Sequence, residues 1–433
     1  MDVSLARCSR DAAAVGHNRQ MLQPSLQDSV TSTQILSTFW ILLVLFVAPL
    51  LSRLTRGLVP EVVLLLVLGV VLGPSLSSLA TVEYGVELVS ELGLGLLFLL
   101  AGYELEPKLL FSRTGRSAMV VWVVCAGMGF ALAWFALPVR DATAAVAVAI
   151  ALSSTALGTL LPILKDRGLL GTPLGRAVLA HGASGELLPV LAMVVLLSSR
   201  KPAASVLLLL VYLATIAAVA IVPRHTLPRA RWLARLLQER SHGTGQLVLR
   251  AVMLLLIGFM ALAETFELDV VLGAFAAGAV LRLLSGEGRY DTHLEDKLET
   301  LAYGFFVPFF FVVSGMEISL GAVVEQPQFL LAAVVLIAAV RGVPVWLAER
   351  FTDTGSGLEQ PRERAQLAMF AATGLPMIVA VTQVAVSTEL MSDATASILV
   401  AAGATTVLIF PVLTHVLQRE APSDRRQQGE RPG

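Results

Sequence analysis

The chain has 433 residues, of which 56% are hydrophobic and only 15% charged. Soluble domains carry about 25% charged residues, so the composition excludes them and indicates an all-α polytopic membrane protein. The formal net charge of −1 gives no electrostatic footprint for nucleic acid, and none is expected as a partner. The two cysteines, Cys8 and Cys125, fall in a polar tail and an apolar span, so neither a disulfide nor a zinc site is expected.

Residues 1–33 read as a polar N-terminal tail without the apolar core of a cleavable signal, and Met21 is an alternative start. About thirteen apolar segments follow, each near the ~20 residues a spanning helix needs. They fall at 34–54, 57–77, 84–104, 117–137, 142–164, 172–199, 203–223, 246–266, 269–285, 299–320, 328–350, 364–388 and 394–418. Gly73-Pro74, Pro107, Pro138, Gly168, Pro202, Pro223, Gly286 and Pro361 punctuate them.

Odd-numbered loops hold most of the basic residues, among them Arg53, Arg56, Lys108, Arg113, Lys165, Arg224, Arg235, Lys297, Arg350 and Arg362. Even-numbered loops hold only Arg140, Arg200 and Lys201. The positive-inside rule then places the N-terminus outside and the C-terminus in the cytoplasm of a cell that carries the protein in its plasma membrane. Residues 222–245 form a basic amphipathic loop expected to lie on anionic headgroups, with a regulatory partner as the alternative. Residues 419–433 read as a short polar tail, and a nucleotide- or glutathione-sensing module is not expected after the last segment.

The sixth segment contains one full charge near its middle, Glu186, flanked by Gly182, Gly185 and Pro189. A carboxylate at that depth costs roughly 2.5–3.5 kcal/mol on insertion scales, so a functional role is the default expectation. The fifth segment concentrates Ser153, Ser154, Thr155 and Thr159 at its middle, with Gly158 and Pro162 beside them. Those hydroxyls can bond back to the preceding turn or across to a neighbouring helix. They can also line an unwound segment whose oxygens replace a cation's hydration shell. The twelfth segment is interrupted in the same way at Thr373-Gly374-Leu375-Pro376, which suggests paired breaks in two inverted halves.

Arg341 lies deep in the eleventh segment and needs a carboxylate or helix C-terminal carbonyls as partner, either as a charge clamp or with a direct part in transport. Glu91 and Glu264 are secondary carboxylate candidates near span boundaries. His181, a turn and a half before Glu186, is either a packing residue or a pH-sensitive neighbour. The chain has no HExxH, nucleophile elbow, paired His ligands or Gly-rich phosphate loop, so it is not expected to be an enzyme or to hold a cofactor.

ELGLGLLFLLAGYEL at 91–105, ALSSTAL at 151–157, VLGAFAAGAVL at 271–281 and FFFVVSGMEISL at 309–320 occur in this order. Through them the chain resembles the cation:proton antiporter superfamily, in the branch that holds bacterial sodium/proton and potassium-efflux antiporters. The C-terminal nucleotide-binding regulatory domain of the potassium-efflux members is not expected here.

The resemblance implies a transmembrane antiporter domain over 34–418 with two crossed broken helices. It divides that domain into a core, about 117–199 and 328–418, and dimerisation helices, about 34–104 and 203–320. It also implies elevator-like alternating access in a homodimer. The family's ion-binding aspartate falls at Glu186, its polar neighbour at Gly185, and its basic residue at Arg341. Ser153, Ser154, Thr155 and Thr373 fall on the crossed segments. The partners implied are a monovalent cation, a proton and the lipid bilayer.

One carboxylate, neutral either with a proton or with a monovalent cation, leads to electroneutral exchange near one for one. The alternatives are electrogenic exchange through a second carboxylate, such as Glu91 or Glu264, and an organic-anion transporter of similar architecture. A channel is a further rival, which saturation and proton coupling would exclude.

Overall fold

The computed structural model describes residues 33–55, 59–105, 107–135, 141–196, 207–212, 214, 245–285 and 292–419. The N-terminal tail, most of the seventh segment, the 222–245 loop and nearly all of the C-terminal tail lie outside these residues. Among the described residues all regular structure is helical.

The helices are α1 (Thr33–Leu54), α2 (Glu61–Leu72), α3 (Tyr84–Glu104), α4 (Arg113–Phe135), α5 (Ala142–Ser153), α6 (Leu157–Asp166) and α7 (Pro173–Leu196). They continue with α8 (Gly245–Thr265) and α9 (Val270–Ser285). Next comes α10, formed by Thr292–Leu301, a π turn at Ala302–Phe306, and Val307–Met316. In α11, Pro327–Ile337 leads into a second π turn at Ala338–Gly342 and on to Val343–Phe351. The last three are α12 (Pro361–Ala371), α13 (Leu375–Ser387) and α14 (Asp393–Arg419).

Among the described residues ten helices are long and apolar enough to cross a membrane, and Glu61–Leu72 and Val270–Leu284 are shorter apolar helices. Together they coincide with twelve of the thirteen expected segments; the other, 203–223, falls mainly outside the described residues. Phe39 and Phe46 on α1 and Val120 and Val124 on α4 face outward, the surface a lipid-facing helix presents.

Two groups of helices pack among themselves. In one, α9 packs on α3 and α8, and α10 on α2 and α3. Glycines permit the approach: a Cβ on Gly102 of α3 would collide with Phe275 O on α9, and one on Gly278 of α9 with Leu99 O on α3. In the other, α4 packs on α5 and α7, α13 on α5 and α14, and α11 on α12 and α14. The groups meet where α6 touches α3, α7 touches α9 and α2 touches α14.

Both π turns precede a proline, Pro308 in α10 and Pro344 in α11. A proline lacks the N–H that would close the preceding α-helical turn, and a π turn accommodates the loss. In α11 that turn contains Arg341 and buries it completely.

Candidate functional site

The fifth and twelfth segments are each broken, as α5/α6 and α12/α13. Asp141 starts α5, its Oδ1 accepting from the N–H groups of Thr143 and Ala144 at 2.8 Å. At the other end Ser153 Oγ donates to Ile150 O at 3.3 Å and Ser154 Oγ to Ala151 O at 2.9 Å. Such back-bonding competes with the helix ladder, and Ser154 turns extended. In the partner break Thr373 Oγ1 donates to Phe370 O at 2.7 Å, and Pro376 opens α13, where its missing N–H costs nothing.

The two breaks cross and bond to each other. The Ala156 N–H donates to Thr373 O at 2.7 Å, and Thr155 Oγ1 to Ala371 O at 2.5 Å. The Thr155 N–H reaches α7, donating to Gly185 O at 2.9 Å.

Glu186, 6% exposed, stands beside this crossing. Its Oε1 accepts from the Leu157 N–H at 2.9 Å, and the Gly158 N–H also acts on the carboxylate. These are first-turn amides of α6, which have no partner inside their own helix and carry the positive end of its dipole. The carboxylate thus faces a half-helix N-terminus in mid-span. Tyr303, in the α10 π turn, donates its hydroxyl to Gly158 O at 3.4 Å and is within electrostatic reach of Glu186, Glu104 and Glu299.

Arg341 is 0% exposed and bonds elsewhere. Its Nε donates to Thr155 Oγ1 at 3.0 Å, its Nη2 to His181 O at 2.9 Å, and its Nη1 to Cys125 Sγ at 3.7 Å. Thr155 passes the contact on to Ala371 O, the last carbonyl of α12. The guanidinium therefore sits against the negative end of one half-helix, as the carboxylate sits against the positive end of another. Among the described residues no carboxylate lies within ion-pair distance of Arg341.

The structure thus brings Glu186, Thr155, Arg341 and the two breaks together. The hydroxyls of Ser153 and Thr373 are directed at carbonyls of their own preceding turns, and that of Ser154 at Ala151 O and, at 3.5 Å across the crossing, at Gly374 O. His181 contributes its backbone oxygen, while its buried Nε2 lies 3.9 Å from Glu349 Oε1. Glu91 and Glu264 are exposed and in electrostatic reach of each other. Among the described residues no hydrogen bond or ion pair joins either to Glu186.

Sequence reasoning missed the Leu157 and Gly158 amides, Tyr303, Cys125 and Glu349. The first were legible in principle, since a break before Leu157 implies free amides at a new helix start. Nothing in the sequence pairs Tyr303 with Gly158 or Glu349 with His181.

A family model described as sodium/hydrogen exchanger, transmembrane, matches residues 41–418. The chain is 25% identical over 346 residues to "Putative Na(+)/H(+) antiporter YjbQ" of Bacillus subtilis (strain 168), covering 74% of this chain and 54% of that protein. It is 28% identical over 315 residues to "Glutathione-regulated potassium-efflux system protein KefC" of Salmonella paratyphi B (strain ATCC BAA-1250 / SPB7), covering 70% and 48%. The chain therefore spans about half the length of the curated relatives it matches. The sodium proton antiporter MjNhaP1 from Methanocaldococcus jannaschii shares the fold, with a TM-score of 0.59 at 18% identity over 92% of this chain and 99% of that one. A second structure of MjNhaP1, at pH 8, gives 0.57 at 16% identity over 89% and 98%.

Proposed function

The chain belongs to the sodium/hydrogen exchanger transmembrane family, one of secondary transporters rather than enzymes, and on that premise we propose that it exchanges a monovalent cation, Na+ or K+, for protons. The observation that carries this reading is the Glu186 carboxylate, 6% exposed beside two crossed helix breaks and bonded to the Leu157 amide at a half-helix start.

Glu186 is the exchanging group. With a proton it is neutral; as a carboxylate with a monovalent cation it is neutral again. The empty carboxylate carries a charge that disfavours movement through an apolar interior, and this couples the two fluxes. The main-chain and hydroxyl oxygens of Ser153, Ser154, Thr155 and Thr373 supply further ligands as the cation sheds water. Arg341 balances the carbonyl end of α12 without occupying the carboxylate. Gly185 offers no second carboxylate, which favours one proton per cation.

The helices of 117–199 and 328–418 form the moving core and those of 34–104 and 203–320 the scaffold. The scaffold pairs with a second copy, and the core moves past it as an elevator. The N-terminus lies outside and the C-terminus in the cytoplasm of a plasma membrane. The test is a pH-dye assay in proteoliposomes scanned over Na+, Li+ and K+. Cation addition should dissipate an imposed pH gradient in the wild type and not with Glu186→Gln. Full exchange by that variant would remove Glu186 from the mechanism.

A further inference from the structure

Pro162 lies inside α6, four residues after Gly158. In an α-helix the N–H of residue 162 would donate to Gly158 O, and a proline has none to give. That carbonyl belongs to the first turn of the half-helix whose Leu157 and Gly158 amides face Glu186. The turn that holds the carboxylate therefore lacks one of the bonds that would hold the turn itself.

A donor comes from another helix. The Tyr303 hydroxyl of α10 donates to Gly158 O at 3.4 Å. Helix α10 packs on α2 and α3, in the other group of helices. An ideal Cβ on Gly158 would lie 3.2 Å from the same hydroxyl oxygen, so the glycine gives the ring its room. Tyr303 stands in the π turn at Ala302–Phe306, ahead of Pro308. A π turn takes in one extra residue, and such turns recur at functional sites. Two prolines thus frame the contact: one opens the carbonyl, and the other accompanies the turn that presents the hydroxyl. At 3.4 Å the bond is long for a hydroxyl donor, hence weak and readily released. The hydroxyl is also within electrostatic reach of Glu186, Glu104 and Glu299, on three different helices.

We propose that Tyr303 is a positioning residue of the exchange: from α10 it supplies the hydrogen bond that Pro162 withholds from Gly158 O, and so keeps the first turn of α6, with its amides, against Glu186. It touches neither the proton nor the cation and acts through Gly158. The hold follows from the contact alone; its effect on transport rests on the exchange reading.

The test compares three variants of the full chain. Tyr303→Phe keeps the ring and removes the hydroxyl. Pro162→Ala gives α6 its own N–H for Gly158 O. The third combines them. Hydrogen–deuterium exchange in detergent reads the amides of 157–161, and a pH dye in proteoliposomes reads transport. Tyr303→Phe should speed deuterium uptake in that segment about two- to fivefold, as expected for one weak neutral hydrogen bond. It should raise the KM for the cation by a similar factor, with the maximal rate less changed. Adding Pro162→Ala should undo both effects, because the bond is then made within the helix. A packing defect would not be repaired by an N–H at position 162.

Unchanged uptake or unchanged KM in Tyr303→Phe, or a defect that persists in full beside Pro162→Ala, would each overturn the proposal. Should Tyr303→Phe fail to fold, the double variant decides: recovery supports the hold, and failure where Pro162→Ala alone folds overturns it. The deuterium readout needs no transport. Faster uptake repaired by Pro162→Ala, in a wild type that exchanges no cation, would sink the exchange reading and leave the contact standing. Normal uptake in Tyr303→Phe, with exchange that still depends on Glu186, would sink Tyr303 and leave the exchange.

Discussion

Replacing Gly185 with alanine should damage this protein far more than one methyl group suggests. An ideal Cβ at that position would lie 2.5 Å from Thr155 Oγ1, 2.6 Å from Thr155 Cβ and 2.8 Å from Arg341 Nη2. Both neighbours are wholly buried, so neither can swing aside. Relief requires moving Thr155, which gives up its bond to Gly185 O or to Ala371 O, or moving Arg341, which gives up His181 O. Overpacking costs about 1–3 kcal/mol. A hydrogen bond to a charged group is worth about 1.5–3 kcal/mol. The expected loss is therefore about 3–5 kcal/mol, a drop of about 5 °C or more in the unfolding midpoint. The assay is thermal unfolding in detergent, read by the appearance of Cys125 to a thiol-reactive dye. Gly127→Ala is the control, since nothing lies within 4 Å of a Cβ there. A midpoint for Gly185→Ala within a degree of wild type, with normal exchange, would refute the packing argument.

Three further outcomes are expected. Glu186→Asp should keep part of the exchange that Glu186→Gln loses, because the shorter carboxylate can still hold a proton or a cation but sits farther from the Leu157 amide; initial rates across a pH series check this, and full wild-type rates in either variant contradict it. Currents on a solid-supported membrane during a Na+ or K+ jump should be negligible beside the exchange flux; a sizeable steady current would bring a second carboxylate, Glu91 first, into the cycle. Arg341→Ala should lower the unfolding midpoint by at least as much as Gly185→Ala, since it leaves Thr155 Oγ1, His181 O and the end of α12 without their cation; normal stability would contradict the clamp.

The apolar segments were legible because a spanning helix must be long and oily, and length and composition suffice to find it. Glu186 and Arg341 were legible for the converse reason: a charge inside such a segment is expensive and stands out. The breaks showed through Ser153-Ser154-Thr155 and Gly374-Leu375-Pro376, residues that bond back to the chain or withhold an N–H. What could not be read is which groups meet across the fold. The Leu157 amide, the Tyr303 hydroxyl and the Glu349 carboxylate belong to segments far from their partners in sequence, and no periodicity encodes those pairings.

The placement of the two buried charges bears on why the chain has glycine where the antiporter resemblance puts a polar neighbour. The Arg341 guanidinium and Thr155 fill the volume in which a side chain at 185 would stand. A guanidinium in direct contact with Glu186 would compete with both the proton and the cation for its oxygens. Here Thr155 intervenes, taking Arg341 on its hydroxyl and handing the contact to the carbonyl end of α12. Each charge is thereby set against the opposite pole of a half-helix rather than against the other charge. Crossing two broken helices thus does more than expose oxygens: it furnishes the poles that let a lone carboxylate and a lone guanidinium remain apart in an apolar interior. Under the proposed exchange, a Glu186 bound by Arg341 would be stable and idle; a Glu186 held among the described residues by the Leu157 amide is fixed in place yet leaves its carboxylate to the proposed proton and cation.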